Sequence, residues 1–323
     1  MSDRSRRRFA EIVRREPVDL AAACHLLAAE ADASADTQDP AVTFDLLDTL
    51  AARARPRLAA RAGTAPRFPR VEHGSSTGPQ PAVGTGGAAA QAGSGGDPVG
   101  RLGEVGRFGS LTPRSAAEAL HEALGLDAGF GGSEEDYTDL RSSLLPDVLR
   151  RRRGLPILLS VVWLEVARRL GVAAYPVGLP GHVIVAVGTP EDYVLVDPYD
   201  AGRLLTIHDA AAKVRAAGAA FNRSQLAPME PHDVLARILG NVRVLGARTD
   251  APRTRLWAVE LSLLLPHHPT NLRRERGELR VRLGDFLGGA RDLTAFADTV
   301  AAVEPTAAAA ARQAAAAARA RLN

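Results

Sequence analysis

His182 and Asp197 are the two residues whose types and spacing best combine into chemistry. HVIVAV (182–187) and YVLVD (193–197) are β-rich runs separated by GTPED, which signals a hairpin. Folded symmetrically about the Thr189–Pro190 link, that hairpin puts His182 directly across from Asp197, with Cβ atoms about 5 Å apart on one sheet face. A slip of one residue would send the two to opposite faces. A carboxylate beside an imidazole fixes its tautomer and stabilises the imidazolium, which is what a general base needs. Gly181, just before the histidine, lets backbone or a ligand approach closely. Spacing alone favours a plainer reading, a histidine on a sheet face with a chance carboxylate neighbour.

Other chemical signals are weaker. Cys24 sits inside an apolar helical stripe (Leu20, Ala23, Cys24, Leu27, Ala28) and reads as a small core residue. As the sole cysteine it excludes an internal disulfide framework, a multi-cysteine zinc site and a CxxC redox motif. His267-His268 has no Cys or acidic partner at ligand spacing, so a solvated junction is expected there and no metal. GTGG and GSGGD lack a preceding strand and a following helix and are not phosphate loops. No cofactor is expected. Asp200, in DPYDAG, reads as a turn residue, and Trp163 and Trp257 as core or interdomain contacts.

The elements that must position the pair follow from periodicity. Residues from about 9 to 58 read as helices broken at Asp39-Pro40. Thr112-Pro113 caps another helix, SAAEALHEAL, which stops near Gly125. A helix from about Ser143 to Arg153 is closed by Gly154, with the arginines at 150–153 filling its last turn, where cations complement exposed carbonyls. Pro156 opens a further helix, ILLSVVWLEVARRL, apolar nearly all round and therefore central and buried. From Pro231 onward only helices follow. Pro269-Thr270 and Pro305-Thr306 start two of them at a spacing close to the roughly 34-residue tetratricopeptide unit, and two such units should dock on the preceding domain.

The chain has 323 residues, enough for one large or two modest domains. Lys+Arg 40 against Asp+Glu 37 leaves a net charge of only +3, without the sustained basic patch of a nucleic-acid surface, so no direct nucleic-acid motif is read. Lys213 is the single lysine among those cations. No apolar run spans a bilayer, and the N-terminus lacks the apolar core of a secretory signal, so a cytoplasmic protein without membrane attachment is expected. Between about Gly63 and Gly109 the residues are nearly all small or polar and cannot offset the entropy of ordering, which predicts a disordered linker.

The stretch 136–206, with its motifs RRGLP, ARRLG, LPGH and VDPYDAG, resembles the bacterial SirB-type branch of the transglutaminase-like superfamily. GFGG upstream and RRERGELRVRLGDFLGGARDL downstream fit as well. The resemblance implies an α+β fold, a papain/transglutaminase-like core with a central buried helix on an antiparallel sheet. It also implies helices before that core and tetratricopeptide-like helices after it. The expected division is 1–61 N-terminal helices, 62–110 linker, 111–228 transglutaminase-like core and 229–323 helical tail. In active members a cysteine at the start of the central helix is the nucleophile, activated by the histidine and aspartate that His182 and Asp197 match. Here the helix starts Gly154-Leu155-Pro156-Ile157-Leu158-Leu159-Ser160, with Ile157 near the nucleophile position. An aliphatic side chain cannot attack a carbonyl. Ser160 is the one hydroxyl in those first turns, and a Ser-His-Asp hydrolase or acyltransferase can be drawn with it. A core serine bonded back to the i−4 carbonyl is the simpler role. The expectation is therefore a pseudoenzyme that binds another protein through its C-terminal helices, with the hydrolase as the alternative.

Overall fold

The computed structural model describes residues 3–31, 39–64 and 111–321. Three helices come first, α1 (Asp3–Ile12), α2 (Leu20–Ala31) and α3 (Pro40–Thr64), and their apolar stripes enter the main core through Phe9, Leu27, Leu47 and Leu58. Cys24 lies in that core at 1% exposure. The linker expected over 62–110 falls outside the described residues, apart from 62–64, which end α3.

Helix α4 (Pro113–Leu120) starts as its sequence announces, with the Thr112 side chain accepting from the Ser115 N–H and proline in the first turn. The chain does not stop at Gly125 but runs on as π-helix through His121–Asp127. Gly125 serves packing instead, because a Cβ there would lie 1.7 Å from the Ala201 carbonyl oxygen. Helix α5 (Leu145–Arg151) likewise departs from expectation. Its C-cap is Arg152, in the left-handed conformation at φ 59°, not Gly154. Gly154 is there because a Cβ would meet a Val148 methyl at 2.6 Å. The arginines that follow hold acids: Arg151 is 3.0 Å from Asp139, and Arg153 reaches Glu135 and Asp136 at 3.4 Å each.

Helix α6 (Pro156–Leu170) is the central buried helix, and it ends at Gly171 in the left-handed region. Strands β1 (Ala174–Leu179), β2 (His182–Thr189), β3 (Asp192–Asp197) and β4 (Arg203–Leu205) form an antiparallel meander in sequence order. Val183, Val185, Val187 and Val196 face the main core with α6, each contributing about 1.5–3 kcal/mol of burial. Ile184, Ala186 and Leu195 face the other way, against Ala210 and Val214 of α7 (Ile207–Ala216).

The β2–β3 register corrects the expected one. Thr189 pairs with Asp192 and Val185 with Val196, so the two-residue turn is Pro190-Glu191, one position later than the symmetric fold assumed. The fixed φ of proline suits the first central turn position and disfavours the second, where the assumed register would have put Pro190. His182 is therefore not directly opposite Asp197. The slip in pairing is two residues, however, and a shift of two preserves the face.

The tail is helical: α8 (Pro231–Arg248), α9 (Pro252–Ser262), α10 (Asn271–Arg282), α11 (Phe286–Val300) and α12 (Pro305–Ala320). It packs on the core through Val234, Ile238, Trp257 and Leu261 of α8 and α9, whereas the two units expected to dock, starting at Pro269 and Pro305, stack beyond them in clusters of their own. Buried acids tie the hairpins together: Glu275 holds Arg243 and Arg255, and Asp292 holds Arg276 and Arg280.

Candidate functional site

Two tight turns build the site. Leu179 pairs with His182 across Pro180-Gly181, with Gly181 at φ 71°. Proline at the first central position and a positive-φ glycine at the second make a type II turn, which launches β2 and sets His182 at its mouth. At the far end of β3, Asp197 caps the 3₁₀ turn Pro198–Asp200, its side chain accepting from the Tyr199 N–H at 3.0 Å. Asp200 is the turn residue expected, paired with Arg203 at 2.6 Å. The segment Gly131-Gly132 lies along this turn, the Gly132 N–H donating to the Tyr199 carbonyl, and a Cβ on Gly132 would sit 2.0 Å from the Tyr199 ring. Only a glycine fits there.

His182 and Asp197 meet. The imidazole Nε2 lies 3.0 Å from both carboxylate oxygens, and the ring stands edge-on to Tyr199 at 5.8 Å. This contact orients the ring with Nε2 on the acid and Nδ1 turned away from it. Asp197 is wholly buried and also accepts from Lys213 of α7, whose Nζ is 2.7 Å from Oδ2. Burial pushes the carboxyl's pKa up, but the hydrogen bonds and charges of His182 and Lys213 outweigh that and hold it below the usual aspartate range. The acid is thus ionised and balanced by a lysine as well as bonded to the histidine.

Beside His182 is a small pocket of about 40 Å³, lined by Tyr137, Pro156, Ile157, His182, Arg237 and Asn241 among others. Ile157, 1% exposed, is the aliphatic residue at the start of α6 that lines it. Ser160 does not join His182 there. Its hydroxyl is buried and donates to the Pro156 carbonyl at 2.8 Å, the i−4 bond of a core serine. Arg237, from α8, donates through Nη2 to the Leu179 and His182 carbonyls at 2.7 and 2.9 Å and so clasps the turn that carries the histidine.

A family model described as the transglutaminase-like superfamily matches residues 43–240, more than half of the chain. The chain belongs to the transglutaminase-like superfamily. A tetratricopeptide repeat model matches the tail, residues 243–323. The transglutaminase-like chain is 34% identical to a UPF0162 protein of Xylella fastidiosa over 194 residues, 58% of this chain and 68% of that protein. It is 31% identical to a UPF0162 protein of Pseudomonas aeruginosa over 147 residues, 43% of this chain and 54% of that one. F-box only protein 21 of Mus musculus is 29% identical over 161 residues, 47% of this chain and 25% of the mouse protein. No solved structure matches.

In this transglutaminase-like core, sequence reasoning missed Lys213 and Arg237. Lys213 had a signal, being the one lysine in a chain that otherwise uses arginine. Arg237 had none, since it comes from a helix far downstream and looks like any surface arginine of an amphipathic segment. Trp163 is a core residue, edge-on to Phe130 at 6.1 Å, with Gly202 packed close on its indole. His267 and His268 are exposed, and the described residues hold no group of three or more His, Cys, Asp or Glu able to bind a metal. No helix among the described residues is long and apolar enough to cross a membrane.

Proposed function

We propose that the protein is a non-catalytic, cytoplasmic member of its superfamily, which keeps the His182–Asp197 pair as structure and uses its helical tail to hold a protein partner. The observation that carries this reading is Ile157, an aliphatic residue that lines the pocket beside His182 at the start of the central helix. No covalent acyl intermediate can form on a hydrocarbon. The commitment of the Ser160 hydroxyl to Pro156 supports the same reading, because a nucleophile needs its base within hydrogen-bond reach. The tetratricopeptide match over 243–323 supports a partner-binding tail. Purified protein is tested against peptide amides and esters beside a His182→Ala variant. Equal background rates are expected, and turnover that disappears in the variant overturns the proposal.

A further inference from the structure

We propose that the pocket beside His182 is a carboxylate-binding site, with Arg237 as its anion-binding group. The inference rests on reading this pocket as a place of binding rather than turnover, and it goes further by naming the ligand's chemistry. Arg237 is drawn out of solvent, and burial lowers its pKa. Among the described residues no carboxylate pairs with it, whereas Arg243, Arg255, Arg276 and Arg280, also withdrawn from solvent, each hold one. A guanidinium carries five N–H donors. The two carbonyl bonds from Nη2 use that nitrogen's pair, which leaves Nη1 and Nε for a ligand.

The surroundings suit a small anion. Asn241, one helical turn beyond Arg237 on α8, lines the same pocket and can donate an amide N–H. Helix α6, fifteen residues long, starts at its wall with no side-chain cap; Pro156 has no N–H, so Ile157 is the lining residue of that turn with one, at the positive end of the helix dipole. His182 supplies the opposite edge. Asp197, the one acid paired with His182 among the described residues, is already matched by Lys213 and leaves Arg237 uncompensated. A volume of about 40 Å³ admits a head group of a few atoms, and a planar carboxylate meets the fork of a guanidinium through paired bonds. An acidic side chain or a free C-terminus of a peptide has that chemistry.

The full-length protein is titrated with an N-acetyl dipeptide and with its C-terminal amide, following the histidine ring signals by NMR. The acid should shift the His182 resonances saturably and the amide should not. Arg237→Gln should weaken binding by about tenfold or more, the loss of a charge-assisted bond. Because that change also loosens the turn, Asn241→Asp is the second variant. It touches neither turn carbonyl, places a negative charge in the pocket, and should abolish acid binding while the melting temperature holds. Equal binding of acid and amide, no binding of either, or undiminished binding by Asn241→Asp overturns the proposal. Peptide hydrolysis dependent on His182 would instead overturn the non-catalytic reading, so the two failures are distinguishable.

Discussion

Replacing Asp197 by asparagine isolates the charge at the centre of the site. The amide keeps an oxygen for the Tyr199 N–H, so the 3₁₀ turn retains its cap. What disappears is the negative charge shared by His182 and Lys213. Hydrogen bonds to charged groups contribute about 1.5–3 kcal/mol each. Lys213, with 28% of its side chain exposed, can turn to water and recovers much of its share, while His182 at 14% recovers less. The expected loss is roughly 2–4 kcal/mol, and at about 2–4 °C per kcal/mol for a unit of this size the melting temperature falls by roughly 4–16 °C. The pH dependence has a definite sign. Because the folded carboxyl is held below its ordinary value, its stabilisation is fully present above about pH 4 and is lost as pH falls through the folded value. Urea unfolding of both proteins should therefore show a gap that closes below about pH 4. An unchanged melting temperature, or a gap that persists undiminished to about pH 2, would refute the charge network.

Ser160→Ala should cost no more than about 1 kcal/mol by urea unfolding, because the lost bond goes to a helical carbonyl, and a fluorophosphonate should label neither form. Cys24 should resist thiol reagents until the protein is unfolded, since burial raises its thiol pKa. Gly132→Ala forces a methyl into the Tyr199 ring and should cost about 1–3 kcal/mol, with displaced His182 ring signals by NMR.

Legibility in the sequence tracked how local the cause was. Helix α6 could be read because twelve of its fifteen residues are buried and its apolar run has no polar stripe. Its ends were legible too, with Pro156 opening it and Gly171 closing it. The meeting of His182 and Asp197 survived an error in the turn because side chains alternate with period two, so an even slip costs position but not face. The cap of α5 was misread because Gly154 looks like a helix terminator, while its real constraint is Val148, six residues back. Lys213 and Arg237 reach the site from α7 and α8, and contacts between separate elements leave no periodic trace in sequence.

The two cations that sequence reading missed also shape the site. A catalytic histidine is supported by an acid whose charge is available when the ring gains a proton. Here Lys213 also stands 2.7 Å from that acid and shares its charge with the histidine. Such an acid orients the ring. Arg237 then fastens the same histidine through its backbone carbonyl, and Asp197 holds the ring from the side. On the proposed non-catalytic reading, His182, fixed at both ends, is a wall of the pocket that Ile157 also lines. The charge that remains unanswered in that wall belongs to Arg237, and an anion is the ligand that answers it.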